Sequence, residues 1–236
     1  MRYMGSKGRY SKYIVPILLN GHLEDSWYFE PFLGGGNLFS EVPIKKKFGS
    51  DTNKYSVGLL KAISEGWVPP DVISEEEYFK VKSNPDIYPD YYVGFLAYCC
   101  SYAGKFWGGY ARGVDSKGKP RNYAKEQVKN LLKQKKGLIG ATLAVEDYTE
   151  LRIPPYSTVY CDPPYYGTTK YGSNFNHNYF WEWCYHLYWT GCRVFVSEYS
   201  APYPPDWYVV WEKDVKSSLD KDTGSKSAVE RLWTIK

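Results

Sequence analysis

Short apolar runs that stop at an acid recur along the chain. Trp27 to Phe29 reads as a strand ended by Glu30 and Pro31, and Lys47 to Ser50 as one ended by Asp51. Much later the same signature returns three times: ATLAVED reaches Asp147, STVYCD reaches Asp162 and RVFVSEY reaches Glu198. Between runs the period changes. Asn53 is a residue type that caps helices, Leu59, Leu60 and Ile63 then share one helical face, and Gly66 follows as a stop. NYFWEWCYHLYWTG reads as a helix between two of the strands, and DWYVVWEK and ERLWTIK as a closing, hairpin-like edge. Strand, glycine loop, helix, strand ending in Asp is the opening of a doubly wound α/β sheet. In such a sheet ligands sit beyond the carboxyl ends of the strands. Asp51, Asp147, Asp162 and Glu198 are therefore expected at one crevice.

From Trp67 to Gly140 the pattern is different. Pro69-Pro70 breaks the chain, and helical stretches are predicted over Glu75 to Lys82, Tyr92 to Tyr102 and Lys125 to Lys135. Between the last two lies AGKFWGGYARGVDSKGKPRN, a glycine-rich, basic and aromatic loop without periodicity. The expected organisation is a catalytic domain formed by residues 1–66 and 141–236, interrupted by a mostly helical insertion, 67–140.

Charge sharpens the meaning of that insertion. Residues 103–140 hold ten Lys or Arg against two acids, a net +8, which leaves −4 for the remainder of a chain whose net charge is +4. Charge segregated in this way fits a polyanion partner, and equally a solvated helix face; charge alone does not decide between them. Aromatic residues make up 19 %, with 25 Tyr and 9 Trp, so rings are available for stacking on flat ligands as well as for the core. The 236 residues, 43 % of them hydrophobic, suffice for a large core. Five cysteines without a C-x-x-C pair read as reduced thiols in a cytosolic protein. MRYMGSKGRYSK is basic but lacks the apolar stretch of a signal peptide, and the uncharged run Tyr91 to Gly104 is too short to span a bilayer. His22, His177 and His186 are scattered without ligand spacing, so no metal is expected.

Two stretches carry chemistry. Gly34-Gly35-Gly36 follows a strand, yet the dinucleotide fingerprint G-x-G-x-x-G fails at Phe39, and no Lys-Ser/Thr follows to make a phosphate loop. A glycine turn without phosphate grip suits a nucleoside lying close to backbone. Asp51 is then placed to accept hydrogen bonds from ribose hydroxyls, or else to cap the next helix. The second stretch is Asp162-Pro163-Pro164-Tyr165. Two prolines with fixed φ and no N–H make a stiff turn that presents a carboxylate, backbone carbonyls and a ring. An exocyclic amine on an aromatic ring is a poor nucleophile because its lone pair is delocalised. Asp162 and the Pro163 carbonyl can each accept one of its N–H groups, drawing the nitrogen toward a tetrahedral shape, while Tyr165 stacks on the ring. The following loop, Tyr166 to Asn178, is rich in Gly, Thr, Ser and Asn and is expected to close as a lid.

Taken together, RYMGSK, FEPFLGGG, SDTN, VEDYTEL and DPPY resemble, in order and spacing, the motifs of Dam-type DNA adenine methyltransferases in which the cofactor motif precedes the catalytic one. The resemblance covers roughly 1–66 and 141–200, and ERLWTIK resembles the closing strand. It implies a Rossmann-like sheet with helices on both faces and S-adenosylmethionine as methyl donor. It assigns Tyr3, Lys7, Glu30, Phe32, Gly34, Gly36, Asp51, Asp147 and Asp162 to the cofactor and Asp162, Pro163, Pro164 and Tyr165 to a flipped adenine. Residues 67–140 take the place of a target-recognition domain, with Lys105, Arg112, Lys117, Lys119 and Arg121 as candidate contacts to double-stranded DNA. No obligatory protein partner and no membrane are implied. One departure stands out: where the family commonly carries Ser-Asn after its next strand, this chain has Ser197-Glu198.

Three other readings compete. Methyltransferases of protein glutamine use a similar turn typically led by Asn, and those of cytosine amino groups one typically led by Ser. Asp162 stands against both, and the +8 insertion against the first. A DNA-binding regulator with a vestigial cofactor fold is disfavoured by intact Lys7, Asp51 and Asp162.

Overall fold

Each acid-terminated run is a strand, and the strands align in one order. The computed structural model describes residues 1–166, 175–201, 206–216 and 227–236. The strands are β1 (Tyr28–Glu30), β2 (Lys47–Asp51), β3 (Thr142–Val145), β4 (Thr158–Cys161), β5 (Arg193–Glu198), β6 (Trp207–Lys216) and β7 (Ser227–Ile235). Their order is β3-β2-β1-β4-β5-β7-β6, a mixed seven-stranded sheet in an α/β chain, consistent with the Rossmann-like sheet that the motifs imply. The chain divides into two compact units, Met1–Ser11 with Leu33–Tyr148, and Lys12–Phe32 with Thr149–Lys236.

In the first unit β2 and β3 pair in parallel, from Phe48 opposite Thr142 to Asp51 opposite Val145. Helix α2 (Lys54–Ser64) starts where the Asn53 side chain accepts the N–H groups of Tyr55 and Ser56, and it buries Val57, Leu59, Leu60 and Ile63. Residues 67–140 lie within this unit. Helix α3 (Glu75–Ser83) is capped by Ser74 and opens with three glutamates, which suit its N-terminal dipole. The single helix expected over Tyr92 to Tyr102 is instead α4 (Asp90–Gly94) running into a π-helical turn, Phe95–Cys99. Every residue from Val93 to Cys100 is buried, so the run has no polar face from which a helical period can be read. Gly94 is required here because a Cβ would lie 2.1 Å from the Tyr55 carbonyl oxygen, where α4 crosses the start of α2. Helix α5 (Tyr123–Lys135) begins two residues earlier than its periodicity indicates, because Asn122 supplies the cap.

The second unit holds β1, β4 and β5 in parallel, with Phe29 opposite Val159 and Cys161 opposite Val196. β4 is buried on both faces, which accounts for its unbroken apolar run. β7 pairs antiparallel with β5 and with β6, as expected of a closing hairpin. β1 runs one residue past the expected Phe29 and includes Glu30, which is buried and accepts a hydrogen bond from the Tyr28 hydroxyl at 2.8 Å. Helix α1 (Ser11–Leu19) is tied at its end by Arg193, whose guanidinium donates to the Leu18 carbonyl at 2.8 Å and to Thr158 Oγ1 at 3.0 Å. Helix α6 (His177–Trp189), capped by Asn176, buries Phe180, Trp181, Cys184 and Leu187. All five cysteines are free and buried. The expected lid, Tyr166 to Asn178, falls for the most part outside the described residues.

Candidate active site

The acid at each strand end keeps its place. Asp51 is the last residue of β2 and Asp147 follows β3 by two residues, both in the first unit. Asp162 follows β4 directly and Glu198 is the last residue of β5, both in the second.

In the first unit the glycine turn and Asp51 form one object. Gly34 and Gly36 adopt positive φ of 49° and 60°. Asp51 Oδ2 accepts the Gly34 N–H at 2.8 Å, and Oδ1 accepts the Asn53 N–H at 2.9 Å. The capping alternative for Asp51 thus falls away, since Asn53 caps α2 and Asp51 holds Asn53. Burial pushes the Asp51 carboxyl above its ordinary range, and the two amide donors pull it back down. A carboxylate has about four lone-pair sites, so capacity remains for hydroxyl donors. Tyr3 packs against the turn: a Cβ on Gly35 would come within 2.6 Å of Tyr3 Cβ, so only glycine fits there. The Tyr3 ring is 5.0 Å from that of Tyr98, whose hydroxyl accepts from Asn53 Nδ2 at 2.7 Å. Tyr98 carried no motif signal, and it steadies both the D-x-N segment and the N-terminal motif. Lys7 is buried and donates to the Gly5 carbonyl at 3.2 Å. Asp147 is half-buried, in the loop where the Glu146 N–H reaches the Asp51 carbonyl at 3.2 Å. A tight glycine turn beside a carboxylate with spare acceptor capacity fits the nucleoside end of S-adenosylmethionine.

The second unit builds the proline turn. Asp162 leaves β4, Pro163 is buried, and the Tyr165 hydroxyl donates to Glu230 Oε1 on β7. The Tyr165 ring meets that of Tyr199 edge-on, 4.7 Å between centroids. Glu198 Oε2 accepts the Tyr166 N–H at 3.0 Å and Oε1 the Tyr199 N–H at 2.7 Å. The Glu198 carboxyl is raised to about 7, chiefly by burial and further by the charges of Asp162 and Glu230, against the downward pull of the two amides. The Tyr165 hydroxyl is likewise pushed well above its ordinary value, first by burial and then by Asp162 and Glu230. Glu230 and Tyr199 carry no motif signal, because their partner Tyr165, in the turn after β4, is far off along the chain. Glu30 and Phe32, grouped with the cofactor residues by motif, belong to this second unit, where Phe32 packs edge-on against Phe180 at 5.6 Å.

The basic loop is more ordered than its composition suggests. Bridges join Ser101 to Tyr110 and Val114 to Pro120, and Asp115 Oδ1 accepts the N–H groups of Lys117 and Lys119 at 2.8 and 3.0 Å. Arg112 is paired with Glu75 and Arg121 with Glu126, whereas Lys105, Lys117 and Lys119 are exposed. Tyr102 beside them is 69 % exposed. Among the described residues no group of three or more His, Cys, Asp or Glu is placed to hold a metal ion, and no helix is long and apolar enough to cross a membrane.

Residues 3–96 match the family model of D12 class N6 adenine-specific DNA methyltransferases. The matched span includes Tyr3, Lys7, the glycine turn and Asp51, and it agrees with the Dam-type resemblance of the motifs. The match implies an enzyme, with S-adenosylmethionine as methyl donor and adenine in DNA as substrate. No curated protein matches the chain.

Proposed function

We propose that this chain is an adenine-specific DNA methyltransferase and that it methylates, at specific sites, the exocyclic amino nitrogen of an adenine swung out of the duplex. A stacked and paired base keeps that nitrogen out of reach, so the base must leave the helix. Asp162 accepts one amino N–H and the Pro163 carbonyl the other, so the lone pair is aimed outward before attack. Pro164 keeps the turn stiff, and Tyr165 offers its ring to the base. As the nitrogen gains its fourth bond it becomes acidic, and the Asp162 carboxylate, already accepting that N–H, takes the proton. When bound, S-adenosylmethionine would supply a methyl carbon on a positively charged sulfur, which keeps the electron pair of the broken S–C bond and departs as a neutral thioether. Tyr3, Lys7, Gly34, Gly36, Asp51 and Asp147 hold it, and the motif resemblance assigns Glu30, Phe32 and Asp162 to it as well. Lys105, Arg112, Lys117, Lys119 and Arg121 in the 67–140 segment contact DNA phosphates, and the enzyme works in the cytoplasm without an obligatory protein partner.

The observation that carries this reading is the D-P-P-Y turn standing directly after a fully buried strand, with Tyr165 anchored on Glu230. The test is incubation with labelled S-adenosylmethionine and DNA, then with protein substrates, followed by mapping of modified bases. Asp162→Ala is expected to lower the single-turnover rate by ~10²–10³ while calorimetry finds cofactor affinity nearly intact. Normal turnover in that variant, or label entering protein glutamine and not DNA, sinks the reading.

A further inference from the structure

Glu198 is only 2 % exposed, yet both oxygens of its carboxylate are engaged by backbone amides. Tyr166 is the residue by which the chain leaves the D-P-P-Y turn, and Tyr199 the residue by which it leaves β5. One side chain therefore joins the exits of two adjacent parallel strands, β4 and β5. The turn needs such an external hold, because Pro163 and Pro164 have no N–H with which to tie themselves down. The holder is itself fixed: Trp233 Nε1 donates to the Glu198 carbonyl at 3.0 Å, and Arg231 Nη1 to the Tyr199 carbonyl at 2.5 Å.

We infer that Glu198 is a positioning residue for methyl transfer, bridging the Tyr166 and Tyr199 amides so that Asp162 and the Pro163 carbonyl are held in aim at the target amine. The inference rests on the reading of the turn given above. It also gives a role to the acid that stands where the resembling enzymes carry Ser-Asn. The bridge requires two acceptor oxygens at once, which the carboxylate has. A protonated carboxyl keeps one strong acceptor, its carbonyl oxygen, beside a weakly accepting hydroxyl, and glutamine keeps one acceptor while turning an NH₂ toward the other amide.

The groups around Glu198 are Asp162 and Tyr165 on the β4 exit, Tyr199 on its own exit, and Glu230 and Arg231 on β7; Arg231 also donates to Glu212 of β6. Burial and the two neighbouring acids place the Glu198 carboxyl at about 7. Above that pH the bridge is complete, and below it one of its bonds is lost. Turnover is thus expected to rise with pH through a midpoint near 7.

The test is single-turnover methylation of duplex DNA from about pH 5.5 to 8.5 with the full chain, E198Q, E198D and D162A, alongside cofactor affinity. E198Q is expected to be roughly ten- to hundredfold slower at the alkaline end, as for a small misplacement of a reacting group, and to lose the limb near pH 7. Its cofactor affinity should change less than about twofold, since Asp51 and the glycine turn are untouched. E198D, a carboxylate on a shorter arm, should recover part of the rate and keep a pH limb. A wild-type rate and limb in E198Q overturn the inference. Should E198Q fail to fold, the wild type decides: the ¹⁵N-tyrosine amide signals of Tyr166 and Tyr199 must titrate together near pH 7, and their failure to do so overturns it. Full activity in D162A would instead overturn the underlying reading of the turn.

Discussion

Asp51→Asn separates a ligand role from a scaffolding one, because the side chain already accepts two backbone amides, those of Gly34 and Asn53. Asparagine keeps one oxygen and presents an NH₂ to the other amide. Leaving that amide unsatisfied should lower stability by about 1–3 kcal/mol. If the remaining lone pairs also serve ribose hydroxyls, cofactor affinity falls too. A hydrogen bond to a charged acceptor contributes about 1.5–3 kcal/mol, or roughly 10- to 150-fold in Kd. The two effects are resolved by a cycle. Calorimetry measures S-adenosylhomocysteine and an analogue lacking both ribose hydroxyls, each against wild type and variant. The variant should lose affinity for the natural nucleoside and little for the analogue, while its Tm drops regardless of ligand. Equal losses for both ligands would refute the ribose role and leave Asp51 only as the anchor of the glycine turn.

Tyr165→Phe removes a hydrogen bond to buried Glu230, so it should cost about 1.5–3 kcal/mol in urea denaturation and reduce turnover, where stacking alone would leave it silent. Tyr165→Ala should lose a further ~1–3 kcal/mol of base binding that shrinks at an abasic target, and an unchanged denaturation midpoint in the Phe variant refutes the anchor. Neutralising Lys105, Lys117 or Lys119 should lower the slope of log K against log salt by about 0.9 per phosphate contact. Arg112 and Arg121, already paired with Glu75 and Glu126, should change it less, and identical slopes in all variants would show a solvated face. Because the Glu198 carboxyl is raised from 4.5 to about 7, the folded state holds its proton more tightly than the unfolded one. The stability this contributes, about 3 kcal/mol, is complete below pH 4.5 and lost as pH rises through 7, and denaturation of wild type against E198Q across that range should show the difference.

The sequence displayed what is local. Strand ends could be read from an apolar run meeting an acid, and α2 from Asn53 followed by a one-faced apolar pattern, because cap, period and stop lie within a dozen residues. The π-helical turn at Phe95–Cys99 was illegible, since a run buried on every side has no amphipathic period to measure. Side-chain partners far apart in sequence were illegible as well. Counting charge over 103–140 gave +8, but Glu75, outside that window, pairs with Arg112 inside it. Tyr165 read as a free ring for stacking, because Glu230, 65 positions on, meets its hydroxyl only once β7 has paired with β5.

The four strand-end acids looked alike in sequence and were all read as groups for a ligand. Two of them do the same structural task. Asp51 accepts an amide from its own exit, Asn53, and one from the glycine turn, Gly34; Glu198 accepts one from its own exit, Tyr199, and one from the proline turn, Tyr166. Parallel strands end with their exits side by side, and the first amides beyond the ladder lack strand partners. A carboxylate at the strand terminus satisfies two such amides at once and locks one loop to the next. The difference between the two sites is access. Asp51 is partly exposed and keeps acceptor capacity for a ligand, whereas Glu198 is sealed and acts only through the turn it holds. Sealing is also what lifts its carboxyl to about 7, so the burial that makes Glu198 a rigid holder is the same burial that makes the hold depend on pH.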